Sequence, residues 1–350
     1  WIAVVDADYL VKTNWLRALG GYFADPTVGV VQSPQAHRDW SQSTLSRMMN
    51  WEYDGFFRIG MHHRQEREAA IQHGTMTVIR ASALRAVSGW ETACVCEDSE
   101  LGLRLVQQGL RLVYVDEVLG SGLVPTDFSA YQRQRRRWAQ GAMQILRTHR
   151  RALFGRSRVS LSLAQRYHFV AGWLPWVGDG LHLFFSLAAV LWTLGVLLAP
   201  ETFGLPIALF VVPLAVFFVI RLLLTPLLYR RRVPCSPTDV AGAALAGIGL
   251  SHSVARGVFA GLFGKSSVFA VTRKGVGNGP LKSAGTFASV RQELALLAGL
   301  LVCIVTLGLQ PSAESDVARW GWMLALGLQA LPYAAAVVCA SLPLRLKLRP

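Results

Sequence analysis

The sequence has few charged residues and few cysteines for its length. Only 16% of the 350 residues are charged, and 52% are hydrophobic, whereas an average soluble protein has about 25% charged residues. The apolar excess excludes a disordered chain and a wholly soluble protein. The five cysteines are an odd number scattered along the chain, which excludes the disulfide framework of a small secreted domain.

Acidic residues are also scarce, above all in the second part of the chain. Up to Gln165 there are 20 Lys and Arg against 15 Asp and Glu, and beyond it 15 against 6. Many of the later basic residues flank long apolar runs, where such residues set membrane topology and contact anionic lipids. The net charge of +14 therefore indicates a lipid bilayer as partner rather than a nucleic acid.

The first third of the chain alternates short apolar runs with amphipathic stretches, which is typical of an α/β layer domain. We predict strands at Trp1–Val5, Val28–Val31 and Thr75–Ile79, and helices at Gln42–Arg58 and Ser99–Gln107. The first of these strands has the apolar pattern of a buried strand, and this pattern is already present at residue 1. We therefore expect the chain to be the later part of a longer protein, with its catalytic domain over residues 1–130.

A basic segment and four long apolar runs follow. Residues 131–178 are predicted to be interfacial helices, rich in arginine. Crossing a bilayer takes about 20 apolar residues. The runs of this length are Gly180–Leu198, Pro206–Leu228, Leu294–Leu309 and Trp320–Leu342. The sequence thus predicts two pairs of transmembrane helices, in segments 179–263 and 294–350.

The run Val240–Phe263 is apolar, but its flanks argue against a simple crossing. Arg230–Arg232 precede it, and the loop 264–293 that follows is also basic. Basic flanks mark the cytoplasmic side, and two crossings do not fit into so short a run. We expect one membrane-embedded or interfacial helix here, with 264–293 and the basic tail Arg345–Arg349 in the cytoplasm.

Two pairs of carboxylates are candidates for chemistry. Asp6 and Asp8 follow the first strand, at the end where sheet-based sites form, and such a pair can bind Mg²⁺ or Mn²⁺ together with a diphosphate. Glu97 and Asp98 begin an amphipathic helix. The alternatives are a surface turn for the first pair and helix capping for the second.

The segment Gln134–Trp138 combines an amide, guanidinium groups and an indole. Guanidinium groups bind phosphates, and an indole face stacks on sugars or cations. The alternative is an interfacial helix whose arginines extend towards the headgroups.

Asp6-x-Asp8, Glu97-Asp98 and Gln134-x-x-Arg137-Trp138 precede the predicted membrane helices in this order. The set resembles the inverting family 2 glycosyltransferases of the cellulose synthase and hyaluronan synthase type. This resemblance implies the C-terminal portion of a GT-A-like α/β domain, with a mixed sheet flanked by helices, followed by an α-helical transmembrane region. It also implies that this portion alone is inactive.

The resemblance assigns a role to each carboxylate. Asp8, with Asp6, would hold Mg²⁺ or Mn²⁺ and the diphosphate of the nucleotide sugar. Asp98 would be the catalytic base, next to Glu97. Cys96 stands where the family has Thr, a departure beside the base that leaves the carboxylates intact.

The resemblance also extends to the arginine-rich segment and to two weaker landmarks. Gln134 and Arg137 would contact the diphosphate, and Trp138 would support the acceptor sugar. Val31–Pro34 is similar to the family's Q-T-P segment, and His73–Thr75 to its C-G-S turn.

A later segment adds to the donor site. Residues 269–274, Phe-Ala-Val-Thr-Arg-Lys, resemble the F-x-V-T-x-K gating loop of cellulose synthases. That loop closes over the bound nucleotide sugar, so Thr272 and Lys274 would contact the donor. The resemblance leaves room for further subunits in export.

The implied reaction transfers a sugar from a nucleotide-sugar donor to a growing β-glycan, with inversion and export of the polymer. UDP-glucose is the expected donor, and UDP-N-acetylglucosamine comes next. One alternative is a transferase that adds a single sugar to a lipid or short acceptor. Another is a transporter or membrane scaffold without transferase activity. The 30 arginines against 5 lysines indicate a bacterial inner membrane.

Overall fold

The computed structural model describes residues 1–155, 161–264, 274, 287–309 and 316–342. The first part is a mixed α/β domain, as predicted. Its strands are β1 (Ile2–Val4), β2 (Leu10–Val11), β3 (Val28–Gln32), β4 (Ala36–His37), β5 (Thr77–Ile79), β6 (Arg111–Tyr114) and β7 (Gly120–Gly122). Its helices are α1 (Trp15–Gly20), α2 (Thr44–Gly55), α3 (His62–Gln65), α4 (Ala81–Ala86), α5 (Glu97–Gln107), α6 (Phe128–Thr148), α7 (Arg150–Phe154) and α8 (Leu163–Ala171).

The main sheet has the strand order β1-β5-β3-β6. Strand β5 runs antiparallel to both of its neighbours, and β3 is parallel to β6. Strands β1, β3 and β6 therefore point the same way, and the residues that follow them share one edge of the sheet. A smaller sheet has the strand order β2-β7-β4. It is connected to that edge of the main sheet, because β2 follows β1 and β7 follows β6 in the chain.

The strands differ in burial as their positions in the sheet require. All five residues of β3 are buried at the centre of the sheet. The prediction of a buried first strand is wrong in this respect, because within the described residues β1 pairs with β5 on one side, and its residues are half-buried or exposed. An apolar strand at a sheet edge buries one face and leaves the other partly open.

The basic segment predicted at 131–178 begins inside one long helix, and a short second helix follows it. Helix α6 begins after Asp127, whose carboxylate accepts a 2.7 Å hydrogen bond from the backbone N–H of Ala130. This is a conventional N-cap. The helix ends at Thr148, and α7 follows after His149. The 21 residues of α6 carry the whole Gln134–Trp138 segment on one rigid element.

The second part of the chain is helical. Its helices are α9 (Leu174–Leu198), α10 (Ile207–Phe218), α11 (Thr225–Arg232), α12 (Pro237–Gly249), α13 (Ser251–Phe263), α14 (Arg291–Leu309) and α15 (Asp316–Ser341), and a π-helical turn (Val219–Leu224) joins α10 to α11. Within the described residues, four stretches are long and apolar enough to cross a membrane: Leu163–Leu198, Ile207–Arg232, Ala288–Leu309 and Asp316–Ser341. Large apolar side chains are exposed along these stretches, including Leu191 and Val212, as lipid-facing residues would be.

The expected single helix at Val240–Phe263 is a bent pair. Helices α12 and α13 meet at Leu250 at an angle of 43°. Helix α13 packs closely on α6: a Cβ at Gly257 would lie 2.3 Å from the carbonyl oxygen of Arg136, and one at Gly261 2.4 Å from that of Gln140. Only glycine permits so close an approach of two helices, so α13 joins the membrane region to the helix that carries the arginine-rich segment.

Candidate active site

Asp6 and Asp8 lie just beyond β1, on the shared edge of the sheet. The backbone N–H of Asp6 donates a 2.8 Å hydrogen bond to Oγ1 of Thr75. One carboxylate oxygen of Asp8 accepts a 2.9 Å bond from the backbone N–H of Leu123. These contacts to the strand-end loops fix the backbone of Asp6 and the side chain of Asp8, while the carboxylate of Asp6 stays half exposed.

A cation already lies between the two carboxylates. The ammonium nitrogen of Lys274 is 3.2 Å from Oδ2 of Asp6 and 3.1 Å from Oδ1 of Asp8. Both distances describe salt bridges to a single positive charge, so the pair can share one cation. The oxygen donors suit Mg²⁺ or Mn²⁺, which complete their shells with water and phosphate. Among the described residues, no cluster of three or more metal-ligating side chains is found, so any ion here would depend on such additional ligands.

Asp98 lies in the first turn of α5, half-buried, and its carboxylate accepts a 3.0 Å hydrogen bond from the indole N–H of Trp90. Burial, together with the negative charge of Glu97, raises the pKa of Asp98 to about 6. Asp6 adds to this effect, whereas Trp90 and Arg137 oppose it. A carboxylate with a pKa close to neutrality is well suited to accept a proton at physiological pH.

The turn Gly74–Thr75 joins the two carboxylate sites. Thr75 binds the backbone of Asp6, and Gly74 abuts Asp98, because a Cβ at Gly74 would lie 2.5 Å from Oδ2 of that residue. Gly74 also has a φ of +87°, which favours glycine. This turn is the segment His73–Thr75 that resembles the family's C-G-S landmark, and it contacts both Asp6 and Asp98.

The segment just before Asp98 is packed on α6. The thiol of Cys96 points to the carbonyl oxygen of Arg137 at 3.7 Å, and a Cβ at Gly141 would lie 2.3 Å from its sulfur. The backbone N–H of Val95 donates a 3.1 Å bond to the side chain of Gln144. Burial raises the pKa of the Cys96 thiol far above its usual range, so this cysteine is a packing group and not a nucleophile.

Gln134, Arg137 and Trp138 lie on one face of α6, since residues three and four apart in a helix are neighbours. All three are half-buried. Arg137 is close enough to Asp98 for its charge to lower the pKa of that carboxylate. The ring of Trp138 stacks on Tyr53 at a centroid distance of 5.7 Å. The structure therefore brings Arg137 of this face towards Asp98.

The remaining predicted site residues are placed differently. Lys274 lies against Asp6 and Asp8 rather than beside Gln134 or Arg137, and its backbone forms an isolated bridge with Pro125. Thr272 lies outside the described residues.

Sequence reasoning missed several residues of the site. Glu52, Tyr53 and Trp90 carry no motif of their own, and only their positions in the fold bring them to the site. The turn that contains Gly74 was named from its resemblance to the C-G-S landmark, but its contact with Asp98 was not predicted. Arg135 was indistinguishable by type from the arginines beside it.

Comparison with known proteins agrees with this geometry. Residues 1–229 match the model of glycosyl transferase family group 2. Over 163 residues the chain is 28% identical to a probable glucomannan 4-beta-mannosyltransferase of Arabidopsis thaliana, which covers 46% of this chain and 30% of the relative. Over 198 residues it is 27% identical to the UDP-forming cellulose synthase catalytic subunit of Xanthomonas axonopodis pv. citri, which covers 55% of this chain and 25% of the relative.

The match confirms the resemblance to cellulose-synthase-like enzymes, together with the predicted fold class. The alignments span less than a third of the length of these relatives. Enzymes of this family generally depend on a divalent metal ion, and two carboxylates that share one cation are a suitable site for it. Because the family model covers well over half of the chain, from the first strand to the end of the second apolar stretch, the chain belongs to glycosyl transferase family group 2.

Proposed function

We propose that the protein is a membrane-embedded synthase that transfers a hexose from a nucleotide-sugar donor to a growing β-glycan and passes the polymer across the membrane. The observation that supports this most directly is the convergence of three groups. The carboxylate pair Asp6 and Asp8 and the base Asp98 meet at the turn Gly74–Thr75, and Arg137 faces Asp98.

Asp98 acts as the general base in this proposal. Its carboxylate accepts the proton of an acceptor hydroxyl while the hydroxyl oxygen bonds to the anomeric carbon of the donor sugar. The bond from that carbon to the diphosphate breaks on the opposite face. An α-linked donor therefore gives a β-linked product. Trp138 presents a ring face on which the acceptor sugar stacks.

The leaving nucleoside diphosphate carries growing negative charge. Gln134, Arg137 and Lys274 supply hydrogen-bond donors and positive charge for it. Asp6 and Asp8 would hold a divalent cation, Mg²⁺ or Mn²⁺, which neutralises the diphosphate when bound. For Lys274 to contact the donor, its ammonium has to leave the two carboxylates.

We further propose that the membrane is the inner membrane of a bacterium, with the catalytic domain in the cytoplasm. Arg230–Arg232 at the end of α11 support this orientation, because basic residues at the ends of spans mark the cytoplasmic side. A transporter is the weaker proposal. Transport would need ionisable residues inside the spans that face a pathway. The ionisable pair Asp179 and Arg221 instead forms a salt bridge of 2.6 Å, which gives these residues a structural role.

The experiment that tests this function assays membranes containing the whole protein with labelled nucleotide sugars. UDP-glucose is the first donor to be tested, followed by UDP-N-acetylglucosamine and a nucleotide-activated mannose. The mannose donor is included because one relative is named a mannosyltransferase and the other a cellulose synthase subunit. Long polymer supports a processive synthase and single addition supports the non-processive alternative. Absence of transfer from every donor contradicts the proposal.

Asp98→Asn is the variant that tests the proposed base. We expect transfer to fall at least about a hundredfold, since general base catalysis contributes 10²–10⁴-fold. The amide should not destabilise the fold, because burial already disfavours the charged carboxylate. Transfer close to the wild-type rate by the folded variant contradicts the assigned role.

A further inference from the structure

Arg135 is the buried member of the arginine-rich segment. It is 6% exposed, whereas Arg136 and Arg137 are half-buried and Arg133 is exposed. Its guanidinium carbon lies 4.4 Å from the ring centroid of Trp138. A cation at this distance from an indole makes a favourable interaction, which is stronger where water is excluded.

The position of Arg135 relative to Trp138 follows from three separations. The guanidinium carbon is 5.2 Å from the ring centroid of Tyr53, and the rings of Tyr53 and Trp138 are 5.7 Å apart. Together with the 4.4 Å contact, these lengths place Arg135 and Tyr53 in neighbouring directions as seen from the ring centroid of Trp138. Both groups therefore pack against the indole and against each other.

Glu52 holds Arg135 in this position. Its carboxylate forms a salt bridge with the Arg135 guanidinium and accepts a hydrogen bond from the hydroxyl of Tyr131. The hydroxyl of Tyr229, at the end of the second apolar stretch, donates a 3.0 Å bond to the backbone oxygen of Glu52. Helices α2, α6 and α11 thus meet at one charge pair directly behind Trp138.

We propose that Arg135, oriented by Glu52, is a positioning residue that holds the indole of Trp138 in place for the acceptor sugar. The inference rests on the proposed function, in which Trp138 supports the acceptor. Arg135 is buried and packs on Trp138, so its effect on transfer passes through the indole. This distinguishes it from an arginine that binds the diphosphate.

The test compares steady-state kinetics of the whole protein in membranes. Arg135→Met should raise the half-saturating concentration of an oligosaccharide acceptor about tenfold, which corresponds to the loss of a cation–aromatic contact, and should leave that of the donor nearly unchanged. Arg135→Lys should recover part of the loss. Arg133→Met is the matched control on the same helix, because the Arg133 side chain is exposed and donates a 2.6 Å hydrogen bond to the hydroxyl of Ser129 one turn earlier.

A double variant tests whether the effect passes through Trp138. If Arg135 acts only through the indole, Arg135→Met should cost nothing further in a Trp138→Ala background. Additive losses overturn the inference.

Arg135→Met leaves Glu52 without its partner and can fail to fold for that reason. Glu52→Gln/Arg135→Met removes both charges, and the same kinetic comparison is then made with this variant.

A second readout does not depend on turnover. With 5-fluorotryptophan incorporated, the ¹⁹F resonance of Trp138 is assigned by its loss in Trp138→Phe. Arg135→Met should shift this resonance and Arg133→Met should not; an unchanged resonance overturns the positioning role whatever the activity. Absence of transfer by the wild-type protein overturns the proposed function, whereas transfer with unchanged acceptor dependence in Arg135→Met overturns this inference alone.

Discussion

Burial of a single carboxylate gives the protein a pH dependence. The pKa of Asp98 is raised to about 6, chiefly by burial and then by Glu97, and only the ionised form accepts a proton. Sugar transfer should therefore fall as the pH decreases through 6. A raised pKa in the folded state means that protonation of Asp98 stabilises the fold. This contribution to the free energy of unfolding is present at acid pH and is lost as the pH rises through 6.

Two substitutions should move the acid limb of the pH–rate profile, where transfer falls with decreasing pH, in opposite directions. Glu97→Gln removes a negative charge and should shift the limb to lower pH, whereas Trp90→Phe removes a hydrogen bond to the ionised Asp98 and should shift it to higher pH. The measurement is the rate of transfer at subsaturating donor from pH 4.5 to pH 8. Shifts of the same sign in both variants would show that another group controls the limb.

Gly74 offers a steric test of the same site. Gly74→Ala would place a Cβ 2.5 Å from the Asp98 carboxylate at a φ of +87°. We expect the strain to cost about 1–2 kcal/mol of stability and the displacement of the base to reduce transfer more than tenfold. Gly109→Ala is the control, since Gly109 has a φ of +78° and its Cβ would meet nothing within 4 Å. Equal loss of activity in both variants would attribute the effect to backbone strain alone.

Candidate site residues can be named from the sequence where type and spacing suffice. Asp6, Asp8, Asp98 and the Gln134–Trp138 segment are chemically distinctive, and their order along the chain is that of the family. The special position of Arg135 could not be predicted, because four arginines lie within five residues and only the rotation of α6 decides which one is buried. Cys96 likewise has a clear role only when its contact with α6 is known.

Among the helices, the buried pair of Asp179 and Arg221 ties three elements together. Arg221, in the π-helical turn, donates to one carboxylate oxygen of Asp179 at 2.6 Å, and Ser251 at the start of α13 donates to the other at 2.6 Å. Asp179 is 1% exposed. A π-helical turn is rare, and here it carries the residue that meets Asp179.

Removing one partner of this pair should be costly. Arg221→Leu leaves a buried carboxylate uncompensated and should lower the free energy of unfolding by about 3–5 kcal/mol. Asp179→Asn/Arg221→Met should recover most of that loss, because no charge remains buried. Thermal unfolding of the detergent-solubilised protein measures both. A double variant as unstable as Arg221→Leu would show that shape, rather than charge, governs the contact.

The membrane helices could be predicted from the sequence because bilayer thickness fixes their length. The bend in the run Val240–Phe263 could not. It occurs where Gly249 packs against the backbone of α15, with its Cβ position 3.2 Å from Ala335 and Ala336. A contact between residues so far apart in the chain leaves no local signal.

For the whole molecule, the basic residues make a prediction about orientation. The segment Ala199–Leu205, between the first two apolar stretches, contains no Lys or Arg, whereas Arg230–Arg232 end the second stretch. The asymmetry predicts that Glu201 faces away from the cytoplasm and Arg231 faces it. The catalytic domain should lie on the side of Arg231, because Tyr229 bonds to Glu52 of that domain.

Cysteine labelling in intact cells checks this orientation. In a Cys235→Ser background, chosen because Cys235 is partly exposed near the basic cluster, Glu201→Cys should react with a membrane-impermeant maleimide. Arg231→Cys should react only after the membrane is permeabilised. Labelling of the four remaining cysteines is measured in the Cys235→Ser protein without an added cysteine, and this background is subtracted. Labelling of Arg231→Cys in intact cells, with Glu201→Cys protected, would place Asp6, Asp8 and Asp98 outside the cytoplasm and would contradict the proposed use of cytoplasmic nucleotide sugars.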